Sequence, residues 1–105
     1  MTRGIDFEVG GAVWTLRFSF NALCAIEAAT KRPALEVLRS VDDISADLTL
    51  FRTVFQCGLT RQATAVEVGE LIDEIGIRHA GALFGHAIAL AMPGESAAGE
   101  PPAEA

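Results

Sequence analysis

The sequence predicts an α+β fold, mostly α, in which an N-terminal β-hairpin packs on four to five helices. Three observations lead there. Apolar and polar residues alternate on both sides of Gly10-Gly11 across residues 5–18. Beyond residue 20 the apolar residues recur at three- and four-residue spacing, the mark of amphipathic helices, with breaks at Pro33 and Gly76. Half of the 105 residues are hydrophobic, enough for one small core and too many for a disordered chain.

The hairpin comes first. Ile5, Phe7 and Val9 alternate with Asp6 and Glu8, and Ala12, Trp14, Leu16 and Phe18 alternate with Val13, Thr15 and Arg17. Gly-Gly suits a two-residue loop because both positions can take positive φ. That loop sets Val9 opposite Ala12, Phe7 opposite Trp14 and Ile5 opposite Leu16, all on one face. The Phe7–Trp14 pair is expected to add cross-strand aromatic packing. A two-stranded ribbon is marginal alone, so this face must lie on the helices.

Ser19 and Asn21 are alternative N-caps for a first helix running to about Thr30, with Leu23 and Ile26 inward; Lys31-Arg32 suit its C-terminus and Pro33 stops it. A short helix over about 34–42 presents Leu35, Leu38 and Val41. The central helix spans about 45–59, capped by Ser45, with Asp47 in its first turn. Leu48, Phe51, Phe55 and Leu59 form one stripe and Leu50, Val54 and Cys57 a second, so it needs neighbours on more than one side. Gly58 is its weak point or terminus. Thr64-Ala-Val-Glu67 is a capping box, opening a helix with Val68, Leu71, Ile72 and Ile75 inward. Gly76 is placed to end it as a left-handed residue, with Ile77 folding back on Ile72. The last helix, about 77–92, carries Ala80, Leu83, Phe84, Ala87, Ile88 and Ala91. Residues 1–92 make one domain. Residues 93–105, with three Glu, no basic residue and no large apolar residue, are expected to be a disordered acidic tail.

Chemistry is sparse. A formal charge of −6 argues against a nucleic-acid partner, which needs a surplus of cations. No apolar run is long enough for a membrane span and no signal peptide is expected at the start, so a cytoplasmic protein with reduced cysteines is anticipated. His79 and His86 stand seven apart, roughly 10 Å along a helix, too far to grip one metal ion. One is expected to be exposed and the other packed. Cys24 and Cys57 are read as core thiols, with no electropositive surroundings to activate them. Asp42-Asp43 precedes a helix, and Asp73-Glu74 is an ordinary solvated face. No catalytic, cofactor or metal set is expected, and the chain is not read as an enzyme. Gly81, Gly85 and Ala89 form a small-residue ridge where another helix can approach closely, and this ridge is the candidate partner surface.

The run Trp14-x-Leu16-x-Phe18-x-x-Asn21-Ala22-Leu23-x-x-Ile26-Glu27, then Phe55-x-x-Gly58-Leu59, then a helix opening Thr64-x-x-Glu67, resembles the small tail assembly chaperone-like proteins of bacteriophages and of gene transfer agents. The resemblance covers roughly residues 4–92 and consists of a hydrophobic pattern with a few polar positions. It implies a non-enzymatic protein of the bacterial host cytoplasm that assists phage-like tail assembly by coating the helical tape-measure protein. Its partners would be that protein or other tail proteins, with self-association open. Some members are labelled tail tube proteins, but tube subunits are β-rich rings and one hairpin does not make one. Alternatives are a minor structural component of the tail, a small thiol enzyme built on Cys24 or Cys57, or an acidic regulatory module binding a basic partner.

Overall fold

The computed structural model describes residues 4–40 and 47–91. Strands β1 (Ile5–Val9) and β2 (Ala12–Leu16) are followed by α1 (Phe20–Thr30), α2 (Ala34–Ser40), α3 (Leu48–Gly58), α4 (Ala65–Ile75) and α5 (Ile77–Ala91). This is the α+β, mostly α arrangement expected from the sequence.

The hairpin has the expected register, with Ile5 opposite Leu16, Phe7 opposite Trp14 and Val9 opposite Ala12. Gly10 and Gly11 both take positive φ, 57° and 84°, as a two-residue loop matched to the strand twist requires. The inward face is graded: Leu16 and Phe7 are buried, whereas Trp14 is only partly covered. The two aromatic rings do not pack on each other as expected. Phe7 meets Phe55 of α3 edge-on at 6.1 Å, and Trp14 instead carries the Arg61 guanidinium 4.3 Å from its ring centre. Two-stranded ribbons twist strongly, so residues facing across one are presented to different neighbours.

Between the hairpin and the helices lies a continuous set of aromatic contacts. Phe18 meets Phe84 at 5.4 Å, Phe84 meets Phe51 at 5.2 Å, Phe51 meets Phe55 at 5.7 Å, and Phe55 reaches Phe7. Edge-on geometry adds about 0.5–1.5 kcal/mol per pair beyond the area buried. Val37, Val54, Val68 and Ala80 fill the spaces between helices. The helix α1 packs on α2 and α3, α3 on α4, and α4 on α5 and β1.

The end of α3 is joined to the hairpin by backbone. Arg17 N–H donates to the Gly58 carbonyl at 2.7 Å and Thr60 N–H to the Thr15 carbonyl at 3.0 Å, pairing Leu59 with Leu16 as a short third rung. Gly58 sits beneath Leu16 and Phe18, and a Cβ there would fall 2.7 Å from the Phe18 ring. It terminates α3, and its missing side chain is what lets the strand approach.

Several local expectations change. Ser19, not Asn21, caps α1, accepting from Ala22 N–H at 3.2 Å. Lys31 ends that helix in the left-handed conformation. In α2 the buried residues are Ala34, Val37 and Leu38, while Leu35 is 43% exposed, because α1 covers the other side of the stripe. Its first turn is held from a distance, the Glu27 carboxylate accepting from Ala34 N–H at 2.9 Å. The cap of α3 is Asp47, whose carboxylate accepts from Leu50 N–H; Leu48, counted in the stripe, is 60% exposed in its first turn. Gly76 has positive φ as expected, but its ψ of 139° is extended rather than left-handed, and Ile77 opens α5 with much of its surface exposed. Ser45, Val41, Asp42-Asp43 and residues 93–105 lie outside the described residues.

Candidate interaction surfaces

The ridge Gly81, Gly85 and Ala89 lies on α5, opposite the buried face Ala80, Leu83, Phe84 and Ala87. Gly85 is exposed, and a Cβ there would meet nothing within 4 Å among the described residues. Close packing among the described residues therefore does not use Gly85, and Gly81 and Ala89 beside it are partly buried.

A second surface joins residues distant in sequence. The capping box fixes the start of α4: Glu67 N–H donates to Thr64 Oγ1 at 3.1 Å, and Thr64 N–H donates to Glu67 Oε1 at 2.8 Å. With the helix so started, Val68, Leu71 and Ile72 turn inward. The neighbouring face, bearing Glu67, Glu70 and Glu74, runs beside the hairpin. Between them is an open groove in two adjoining parts that share Val9 and Glu74. One part, about 300 Å³, has Val9, Ala12, Trp14 and Leu71 against the three glutamates. The other, about 470 Å³, continues past Phe7, Glu8 and Ile75 to His79 and Leu83. Both volumes fall in or near the range that accommodates side chains or small ligands.

Trp14 is held at the groove by Arg61, whose guanidinium also donates to the Val13 carbonyl at 3.3 Å. The loop carrying Arg61 is tied down by Gln56, which donates through Nε2 to the Ala63 carbonyl at 2.7 Å. Beyond it, a larger open depression of about 780 Å³ is lined by residues that include Gln56, Cys57, Thr60, Arg61 and Glu67.

The thiols and imidazoles are not brought together. Cys24 is exposed, contrary to the core position expected, because α1 buries Ala22 and Ile26 and turns Cys24 outward. Cys57 is partly buried, and burial pushes its thiol pKa up, which lowers the nucleophilic thiolate fraction. Both His79 and His86 are exposed, whereas one was expected to be packed. Among the described residues no three His, Cys, Asp or Glu side chains cluster as metal ligands. No described helix is long and apolar enough to cross a membrane.

The sequence did not point to the groove. Its two walls come from residues 6–14 and 67–83, and only folding places them together. The glutamate spacing on α4 was the one available signal. Compared with protein-family models, curated proteins and solved structures, the chain matches none.

Proposed function

We propose that the chain is a non-enzymatic interaction protein that assists assembly of a phage-like, gene-transfer-agent type tail. It would cover the apolar stripe of a helical tape-measure protein until the tube forms around it. The observation that supports this reading is the open groove between the hairpin and α4, which leaves Trp14 and Val9 accessible beside Leu71. An apolar-striped helix laid in such a groove is a recurrent mode of protein recognition. The strand-to-helix run from Trp14 to Glu27, which carries the resemblance to tail assembly chaperones, contributes Trp14 to the groove, while its Leu16, Phe18, Ala22 and Ile26 are buried in the core. The ridge Gly81, Gly85 and Ala89 offers a second face for a helix.

Such a partner must stay extended and soluble before the tube exists, and an uncovered apolar stripe would aggregate. The charge of −6 adds repulsion between coated complexes. Co-expression with the adjacent tape-measure fragment is expected to convert that fragment from insoluble to soluble. Persistent insolubility, together with normal particle formation after deletion of this gene, would overturn the proposal. Recovery of the chain in finished particles would favour a structural component of the tail instead.

A further inference from the structure

We propose that the groove between the hairpin and α4 recognises a basic amphipathic segment of another protein. A bulky apolar side chain of that segment sits over Val9, Trp14 and Leu71, and flanking lysines or arginines meet Glu70 and Glu74. This names the partner's chemistry and rests on the preceding reading only in taking the chain as a binding protein.

Charge complementarity selects the occupant. Asp6, Glu8, Glu67, Glu70 and Glu74 line the two parts of the groove, and no Lys or Arg does. Asp6 accepts from the Thr15 hydroxyl at 2.7 Å, and Glu67 is engaged in the capping box. Glu70 and Glu74 form no hydrogen bond or ion pair with a described residue. Arg61, on the adjoining surface, is committed to the Trp14 ring and the Val13 carbonyl. Like charges one turn apart repel and weaken a helix, so a cation between Glu70 and Glu74 relieves a strain already present in α4. Glu70 to Glu74 spans roughly 6 Å at the helical rise, so cations one turn apart on a helical partner match both.

Other occupants have the wrong sign. Residues 92–105 carry three Glu and no Lys or Arg. A second copy brings a charge of −6. The apolar floor also separates this surface from a simple acidic patch, since a polycation without apolar side chains leaves Trp14 and Val9 uncovered.

Trp14 is the only tryptophan in the chain, so its emission reports directly on the groove. The full chain is titrated with a helical Leu/Lys peptide, a Leu/Glu peptide of the same pattern, and polylysine. A saturable change in Trp14 emission is expected with the Leu/Lys peptide alone. Glu70→Gln and Glu74→Gln should each weaken that binding about 2–5-fold, the size of a solvent-exposed ion pair. Asp73→Asn removes the same charge from α4 outside the groove and should leave the affinity unchanged. Raising salt should weaken binding several-fold, far less than for a polyanion. Equal binding of the Leu/Glu peptide or polylysine overturns the proposal. So does an Asp73→Asn loss as large as the two groove losses, or no response to the Leu/Lys peptide. If the tape-measure fragment is solubilised while the groove substitutions change nothing, this inference fails and the assembly role stands. The converse pattern removes the assembly role and keeps the groove.

Discussion

Replacing Gly58 by alanine tests the packing of the fold at one atom. By helix propensity alone the change should stabilise α3 by about 1 kcal/mol, since glycine is the poorer helix former. The surroundings reverse the sign. The new Cβ would lie 2.7 and 2.8 Å from two ring carbons of Phe18 and 2.9 Å from Leu16 Cδ1. Carbon atoms prefer separations of about 3.5–4.0 Å, so the contacts must open by roughly 0.7–1 Å. Neither neighbour has room to yield: Leu16 is fully buried, and Phe18 is set edge-on against Phe84. Moving the helix end instead would disturb the bonds from Arg17 to Gly58 and from Thr60 to Thr15. Overpacking of this kind costs about 1–3 kcal/mol. With rigid neighbours the upper half of that range applies, and after the propensity gain a net loss of about 1–2 kcal/mol remains. Urea unfolding followed by Trp14 fluorescence measures it. Gly85→Ala, where a Cβ meets open space, serves as the control and should gain up to about 1 kcal/mol. A Gly58→Ala midpoint equal to or above wild type would refute the close-approach argument.

Other outcomes follow from the same contacts. Phe55→Ala removes a fully buried ring that touches both Phe7 and Phe51, and should cost about 3–5 kcal/mol in equilibrium unfolding. Thr64→Ala deletes the acceptor for Glu67 N–H and should cost about 1 kcal/mol; unchanged denaturation would mean the helix is not started by its cap. Iodoacetamide should label exposed Cys24 in the folded protein well before Cys57. Because burial raises the Cys57 pKa, its thiolate appears, and its labelling accelerates, only at more alkaline pH than for an ordinary thiol; peptide mapping that finds Cys57 modified first at neutral pH would contradict this.

Features specified by neighbouring residues were legible in the sequence. Gly10-Gly11 dictated the hairpin register, and Thr64 with Glu67 dictated the start of α4. Features decided by distant residues were not. The buried side of α2 depends on where α1 lies, and its first turn is capped by Glu27 from the preceding helix. Cys24 and Phe20 look like core residues by type, yet α1 buries only Ala22 and Ile26 and leaves Phe20 78% exposed. The Arg61–Trp14 contact and the groove join segments some fifty residues apart, so periodicity within either segment could not announce them. The small-residue ridge was visible as a spacing; that Gly85 faces outward was not.

The rung between Leu16 and Leu59 also bears on how the chain is made. The hairpin leaves the ribosome before all five helices, but its inward face is completed by α3, α4 and α5. An isolated two-stranded ribbon is marginal in water. At about 5–20 residues per second, several seconds pass between synthesis of Leu16 and of Leu59. During that interval Phe7, Trp14, Leu16 and Phe18 have none of these later partners. The nascent chain is therefore most vulnerable to capture by other unfolded chains before residue 60 emerges, and slow codons between the second strand and the third helix would lengthen that exposure.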